Sequence, residues 1–148
     1  MSENEYECLR LRNQLCFPLY AAARETIKFY TPYLDEIGLT YTQYIAMMVL
    51  WEHRSVTVKE MGEQLFLDSG TLTPLLKKLE GKGFLTRVRS TSDERNLIVT
   101  VTEEGMALRE KAVSIPKHMA DNVLINSEEI VTIYNILYKL LGKPEIHA

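Results

Sequence analysis

The chain has 148 residues, a formal net charge of −3, 46% hydrophobic residues and 25% charged residues, which is ordinary for a water-soluble globular protein of one domain. Its longest apolar run, around Ile45 to Trp51, is far too short to span a bilayer, and its polar, acidic N-terminus is unlike a secretory signal. We therefore expect a cytoplasmic protein that does not span a membrane.

The first predicted helix covers residues 5 to about 30, where apolar residues recur at three- and four-residue steps. Pro18 lies inside this pattern and predicts either a kink or a helix start near Phe17. We expect Thr31-Pro32 to end the helix, with a short helix over residues 33–37 after it.

The second predicted helix opens with a capping box formed by Thr40 and Gln43 and runs to about Glu52. It is apolar nearly all round, so we expect it to be the central helix of the core.

Two short helices come next. Thr57 and Glu60 predict a second capping box, and either Asp68 or Ser69 can cap the helix that follows. Four leucines of that helix share one stripe, which is expected to be buried: Leu72, Leu75, Leu76 and Leu79.

The opposite face of that helix is small, hydroxylated and basic, and it carries Ser69, Gly70, Thr71, Thr73, Pro74, Lys77, Lys78 and Gly81. Such a surface can enter a DNA major groove, where hydroxyls and ammonium groups meet base edges and phosphates. A helix start nearer Thr71 would place Pro74 in the first turn, where proline is tolerated.

Two strands follow, over residues 84–89 and 97–101, around a polar tip. A helix pair followed by a basic hairpin is a winged helix-turn-helix, although a structural hairpin with a solvated charge cluster is the alternative. Residues 77–95 sum to +3 and the rest of the chain to −6. DNA responds to this local field, so the overall charge does not exclude DNA binding.

The C-terminal part is predicted to be helical. Thr102 is predicted to cap a helix that runs to about Val113, and Pro116 then interrupts the pattern. Residues 116–124 can resume as helix, and Ser127 is predicted to cap a last helix. The last helix carries an apolar stripe that ends at Gly142, formed by Ile130, Ile133, Leu137, Leu140 and Leu141.

The outer helices carry more apolar surface than a winged core over residues 40–101 can cover. This excess indicates dimerisation, the alternative being that these helices fold back on their own domain.

The wing and the second helix of the pair also carry a family resemblance. Asp93-x-Arg95, followed by residues 97–102 and an acidic helix start, resembles the wing signature of the MarR family of bacterial transcriptional regulators. Residues 67–78, LDSGTLTPLLKK, resemble its branch of organic-hydroperoxide resistance regulators and thiol-sensing relatives. The resemblance runs from about Asn13 to Glu104.

The resemblance implies a dimeric, mostly α (α+β) repressor that binds double-stranded DNA at a pseudo-palindromic operator. One domain would fill residues 1–148, with dimerisation helices in 1–38 and 103–148 and a winged helix-turn-helix in 40–101. We expect the DNA-binding residues to be a polar set: Asp68, Ser69, Thr71, Thr73, Lys77, Lys78, Arg87, Arg89, Asp93 and Arg95.

Cys16 is the candidate sensor. A cysteine on an apolar helix is by itself usually a small buried hydrophobe. Several phenols, however, flank the first helix junctions: Tyr20, Tyr30, Tyr33, Tyr41 and Tyr44. The resemblance implies that organic hydroperoxide oxidises Cys16 and that Tyr30 and Tyr41 contact it across the dimer. Because no cysteine follows Cys16, we expect its sulfenic acid to be capped by a low-molecular-weight thiol or to cyclise onto a backbone nitrogen. Pro18 departs from the family pattern.

Cys8 has no counterpart in the family pattern and would lie about 12 Å from Cys16 on a continuous helix. No residue spacing suggests a metal, a cofactor or an enzyme. Two further hypotheses remain open: a small aromatic ligand in place of thiol chemistry, or a winged-helix protein-interaction adaptor.

Overall fold

The computed structural model describes residues 3–92 and 97–143, apart from the side chains of residues 3 and 4. The chain forms two compact units, Met1–Ile115 and Pro116–Ala148. Across the described ranges, no helix combines the length and the apolarity that crossing a bilayer requires.

The first unit begins with two 3₁₀ segments, Glu3–Leu9 and Leu11–Asn13. Its helices are α1 (Cys16–Glu36), α2 (Tyr41–His53), α3 (Val58–Leu65), α4 (Ser69–Gly81) and α5 (Glu103–Ala112). Its strands are β1 (Ser55–Thr57), β2 (Leu85–Arg89) and β3 (Leu97–Val101). Helix α6 (Ile115–Asp121) begins at the last residue of this unit, and α7 (Ser127–Leu140) belongs to the second unit.

Helix α1 begins at Cys16, so the predicted start near Phe17 is confirmed and Pro18 falls in the first turn, where no helical donor is lost. The expected end at Thr31-Pro32 is wrong, because α1 continues through Pro32 to Glu36. Leu34, only 2% exposed, lies beyond the proline. Burial of this leucine favours continuing the helix past Pro32, although the proline cannot donate one backbone hydrogen bond.

Helix α2 is the predicted centre of the core. Its capping box is confirmed: the Gln43 amide donates to Thr40 Oγ1 at 3.3 Å, and the Thr40 amide donates to Gln43 Oε1 at 3.1 Å. Most of its apolar side chains are buried, namely Tyr44, Ala46, Met47, Val49 and Leu50. The indole of Trp51 donates to the Gly105 carbonyl at 2.8 Å and so joins α2 to α5. Gly105 is required there, because a Cβ would collide with the Phe84 carbonyl.

The sheet is antiparallel, in the order β1-β3-β2. Val56 pairs with Val99, Leu85 with Val101, and Arg89 with Leu97. The two predicted strands are confirmed to within a residue. Strand β1 was not predicted, because three residues are too few to show an alternating pattern.

Helix α7 begins at Ser127, one residue earlier than expected. Asn126, not Ser127, is the cap: its Oδ1 accepts from the Glu129 amide at 3.0 Å, and its amide donates to Glu129 Oε2 at 2.8 Å. The predicted end is confirmed, with Gly142 at a φ of 70°. No residue of α7 is buried. Its apolar stripe is exposed along its length: Ile130, Ile133, Leu137, Leu140 and Leu141.

Candidate DNA-binding surface and cysteine site

Helix α4 begins at Ser69 and is capped by Asp68, whose Oδ1 accepts from the Thr71 amide at 2.7 Å. The hydrogen bond from the Thr71 amide lowers the pKa of Asp68. The alternative start nearer Thr71 is wrong, and Pro74 therefore lies inside the helix. Asp68 thus orders the first turn of α4 through its own backbone.

The two faces of α4 are separated as predicted. All four leucines of its stripe are buried, and Leu76 is 0% exposed. The residues of the opposite face are all exposed, and we call this set the recognition face: Ser69, Gly70, Thr71, Thr73, Pro74, Lys77, Lys78 and Gly81. Because the leucines anchor α4 on the core, its polar side faces solvent.

Arg87 braces β2 against α4. Its Nη2 lies 3.1 Å from Glu80 Oε1, its amide donates to Glu80 Oε2 at 3.1 Å, and its side chain is only 17% exposed. The hydrogen bond from Arg87 lowers the pKa of Glu80. Sequence reasoning took Arg87 as a DNA contact and missed Glu80, because the two residues lie on different elements. Arg89, at the end of β2, is exposed.

The predicted minor-groove pair, Asp93 and Arg95, lies outside the described residues. Within them, Arg89 opposite Leu97 is the last pair of the β2–β3 ladder before the tip.

Cys16 is the first residue of α1 and is exposed, so the interpretation as a buried hydrophobe is wrong. Cys8 is also exposed and lies in the first 3₁₀ segment, with its thiol 3.5 Å from the Glu5 carbonyl. Gln14 is extended between the two cysteines, with φ −98° and ψ 116°. The continuous helix behind the 12 Å estimate is therefore wrong.

Tyr30, Tyr41 and Tyr44 form an aromatic cluster with Trp51 within the subunit. The Tyr30 and Tyr41 rings lie 5.0 Å apart, Tyr30 and Tyr44 lie 5.9 Å apart, and Tyr44 lies 6.1 Å from Trp51. Desolvation by burial raises the pKa of Tyr30, Tyr41 and Tyr44 above that of an ordinary phenol. A phenol already keeps its proton at neutral pH, so each hydroxyl can donate a hydrogen bond.

Cys16 does not share this cluster within its own chain. Tyr30 lies fourteen residues farther along α1, which corresponds to about 21 Å of helix. Tyr20, one turn from Cys16, instead accepts a hydrogen bond from Arg24 Nη1 at 3.3 Å, and the guanidinium also lies 5.4 Å from its ring centroid.

A cleft of about 450 Å³ lies between α3, α4 and the sheet. Its lining is mainly apolar, with Thr73 and Arg87 among its polar residues. No cluster of three metal-ligating side chains was found among residues 3–92 and 97–143.

A model of the SarA/Rot transcriptional-regulator family matches residues 28–112. The organic hydroperoxide resistance transcriptional regulator of Bacillus subtilis is 50% identical over 139 residues, which cover 94% of this chain and 95% of that protein. The regulator SarZ of Staphylococcus aureus is 43% identical over 141 residues, 95% and 93% of the two chains. These relatives are transcriptional regulators rather than enzymes.

Solved structures show the same architecture. Reduced AbfR bound to DNA superposes with a TM-score of 0.76 at 35% identity, covering 95% of this chain and 98% of that chain. AbfR, a protein of Staphylococcus epidermidis, has also been solved overoxidised on DNA and in a disulfide form, with TM-scores of 0.72 and 0.64. The predicted winged helix-turn-helix fold is confirmed.

Proposed function

The chain belongs to the SarA/Rot family of transcriptional regulators, and on that premise we propose a function for its two candidate sites. It is a homodimeric repressor that binds a pseudo-palindromic operator in double-stranded DNA and is released when organic hydroperoxide oxidises Cys16. It acts in the cytoplasm and has no catalytic activity of its own.

The recognition face supports the DNA-binding half of this proposal. Its hydroxyls and lysines suit base edges and phosphates, and a two-fold dimer would place two such faces about one helical turn, ~10 base pairs, apart. Arg89 would contact a phosphate, whereas Asp68 and Arg87 would act by holding α4 and the wing in place. At the wing tip, Arg95 would enter the minor groove, oriented by Asp93.

One observation carries the redox half. Cys16 is exposed at one end of α1, while the proton-bearing phenols of Tyr30 and Tyr41 cluster toward the other end. Because about 21 Å of helix separates them, only a second copy can bring these phenols to Cys16. Two α1 helices packed antiparallel would place each cysteine beside its partner's tyrosines. The name of the Bacillus subtilis relative and the oxidised forms of AbfR favour the same chemistry.

The chemistry is a two-electron oxidation. The Cys16 thiolate attacks one oxygen of the hydroperoxide, the O–O bond breaks, and a sulfenic acid and an alcohol form. A low-molecular-weight thiol then condenses with the sulfenic acid, giving a mixed disulfide and water. Loss of the phenol contacts would shift α1 and change the spacing of the two recognition faces. A coupling of about 1–3 kcal/mol changes operator affinity about 5- to 150-fold.

The test is fluorescence anisotropy on the DNA upstream of the protein's own gene, with and without organic hydroperoxide. We expect Cys16→Ser to bind like the wild type and to ignore peroxide, while the matched control Cys8→Ser is released. Peroxide release of Cys16→Ser, or DNA loss with Cys16 unmodified in mass spectrometry, would overturn the redox proposal.

The cleft beneath α4 favours a second candidate, release by a small aromatic ligand. Arg87 could meet an aromatic acid there, although Glu80 already binds its guanidinium. If benzoate-type acids release Cys16→Ser from DNA while peroxide leaves the wild type bound, the ligand hypothesis takes precedence. The adaptor hypothesis has no observation of its own in its favour.

A further inference from the structure

Lys82 connects the C-terminal end of α4, the candidate DNA-binding helix, with the corner between α1 and α2. Its backbone closes α4, with the Lys82 amide donating to the Lys78 carbonyl at 3.1 Å. Its side chain leaves the helix and reaches the corner between α1 and α2, where Nζ donates to the Gly38 carbonyl at 2.6 Å and to Gln43 Oε1 at 3.3 Å. One residue therefore ends α4 and ties that end to two other helices.

The acceptors at this joint are well suited to an ammonium group. Gly38, with a φ of 69°, lies just beyond the C-terminal end of the 21-residue α1, where the helix dipole is negative. Gln43 is 4% exposed, and its Oε1 is also held by the Thr40 amide in the α2 capping box. Lys82 takes part in none of the ion pairs between described residues. Its charge is therefore directed at these two oxygens.

We propose that Lys82 is a positioning residue for DNA recognition. By joining the C-terminal end of α4 to the α1–α2 corner, it fixes the angle at which the recognition face meets the major groove. The buried leucines hold α4 on the core along one stripe but leave rotation about that stripe less restricted, and a tie at one end removes that freedom. The inference depends on DNA binding and not on the chemistry of Cys16.

The competing role is a direct phosphate contact, which the geometry disfavours because two of the three ammonium donors already have protein acceptors. The two roles differ in their dependence on salt. A lysine that neutralises a phosphate contributes about one unit to the slope of log affinity against log salt, whereas a positioning residue contributes none.

The experiment compares Lys82→Met, which keeps the aliphatic stem, with Lys78→Met on the recognition face. Operator affinity is measured by anisotropy at several salt concentrations, and melting temperature by circular dichroism. We expect Lys82→Met to lose affinity about tenfold with its salt slope and melting temperature unchanged, and Lys82→Arg to recover most of the loss. We expect Lys78→Met to lower the slope by about one unit.

Two results would overturn the proposal: unchanged affinity of Lys82→Met, or a slope reduced to the same extent as in Lys78→Met. If Lys82→Met does not fold, Lys82→Gln, which keeps a shorter donor without the charge, takes its place under the same criteria.

Discussion

Helices α4 and α7 carry the same kind of apolar stripe at the same helical spacing, but the two stripes differ in burial. In α4 the stripe is buried within the chain, and Leu76 is 0% exposed. In α7 no residue is buried, and Leu140 is 60% exposed. An amphipathic pattern therefore predicts that a face will be covered but does not identify what covers it.

This difference in burial shows which apolar stripe a single chain covers and which it leaves exposed. The winged region binds α4 to α2, α3 and the sheet, so its stability belongs to the single subunit. The α7 stripe is exposed, and we propose that a second copy covers it. Substitutions in the two stripes should thus act on different equilibria, folding for α4 and association for α7.

The largest effect is expected in the α4 stripe. Leu76→Ala removes a fully buried side chain and should lower the free energy of unfolding by about 2–5 kcal/mol, because a cavity remains. Urea denaturation measures this loss. The matched substitution Leu140→Ala in α7 should change unfolding of the subunit much less, and an equal loss in both variants would break the comparison.

The next effect concerns association. Ile133→Asp places a charge in the α7 stripe and should dissociate the dimer, which sedimentation would detect. Operator affinity should fall on the order of a hundredfold, since one chain can then engage only one half-site. Asn135→Asp adds the same charge on the other side of α7 and serves as the control. A monomeric Ile133→Asp variant with full operator affinity would contradict the proposed dimer.

The smallest effect is expected from loss of the Asp68 cap at the start of α4. The pKa of Asp68 is lowered in the folded protein by the Thr71 amide, so its capping stability is present above the ordinary aspartate pKa, about 3.9. It is lost as the pH falls through the lowered value. Asp68→Ala should lower the melting temperature at neutral pH, whereas Asp68→Asn should keep the cap but lose this part of the acid dependence.

The local parts of the fold could be predicted because they depend on residues that are close together in the sequence. The capping boxes at Thr40 and Thr57 and the strands β2 and β3 each need only a few residues to specify them. Pro32 was misjudged because the burial of Leu34, which is not a local property, carries α1 past it.

The sites were predictable as residue types but not as contacts. The recognition face follows from helical periodicity alone, and it is exposed as expected. The pairing of Arg87 with Glu80 and the reach of Lys82 to Gly38 join residues on separate elements, which sequence spacing does not bring together. The tyrosines were recognised as a group, but the distance between Tyr30 and Cys16 along α1 required the structure.

The indole of Trp51, which donates a hydrogen bond to the Gly105 carbonyl, is an intrinsic fluorescent probe. Trp51 is the only tryptophan in the sequence, so all indole emission reports on one side chain, set between Tyr44 and the start of α5. Loosening of the joint between α2 and α5 would admit water to the indole and shift its emission to longer wavelength. A fluorimeter could therefore follow movement at this joint during DNA binding or oxidation without any added dye.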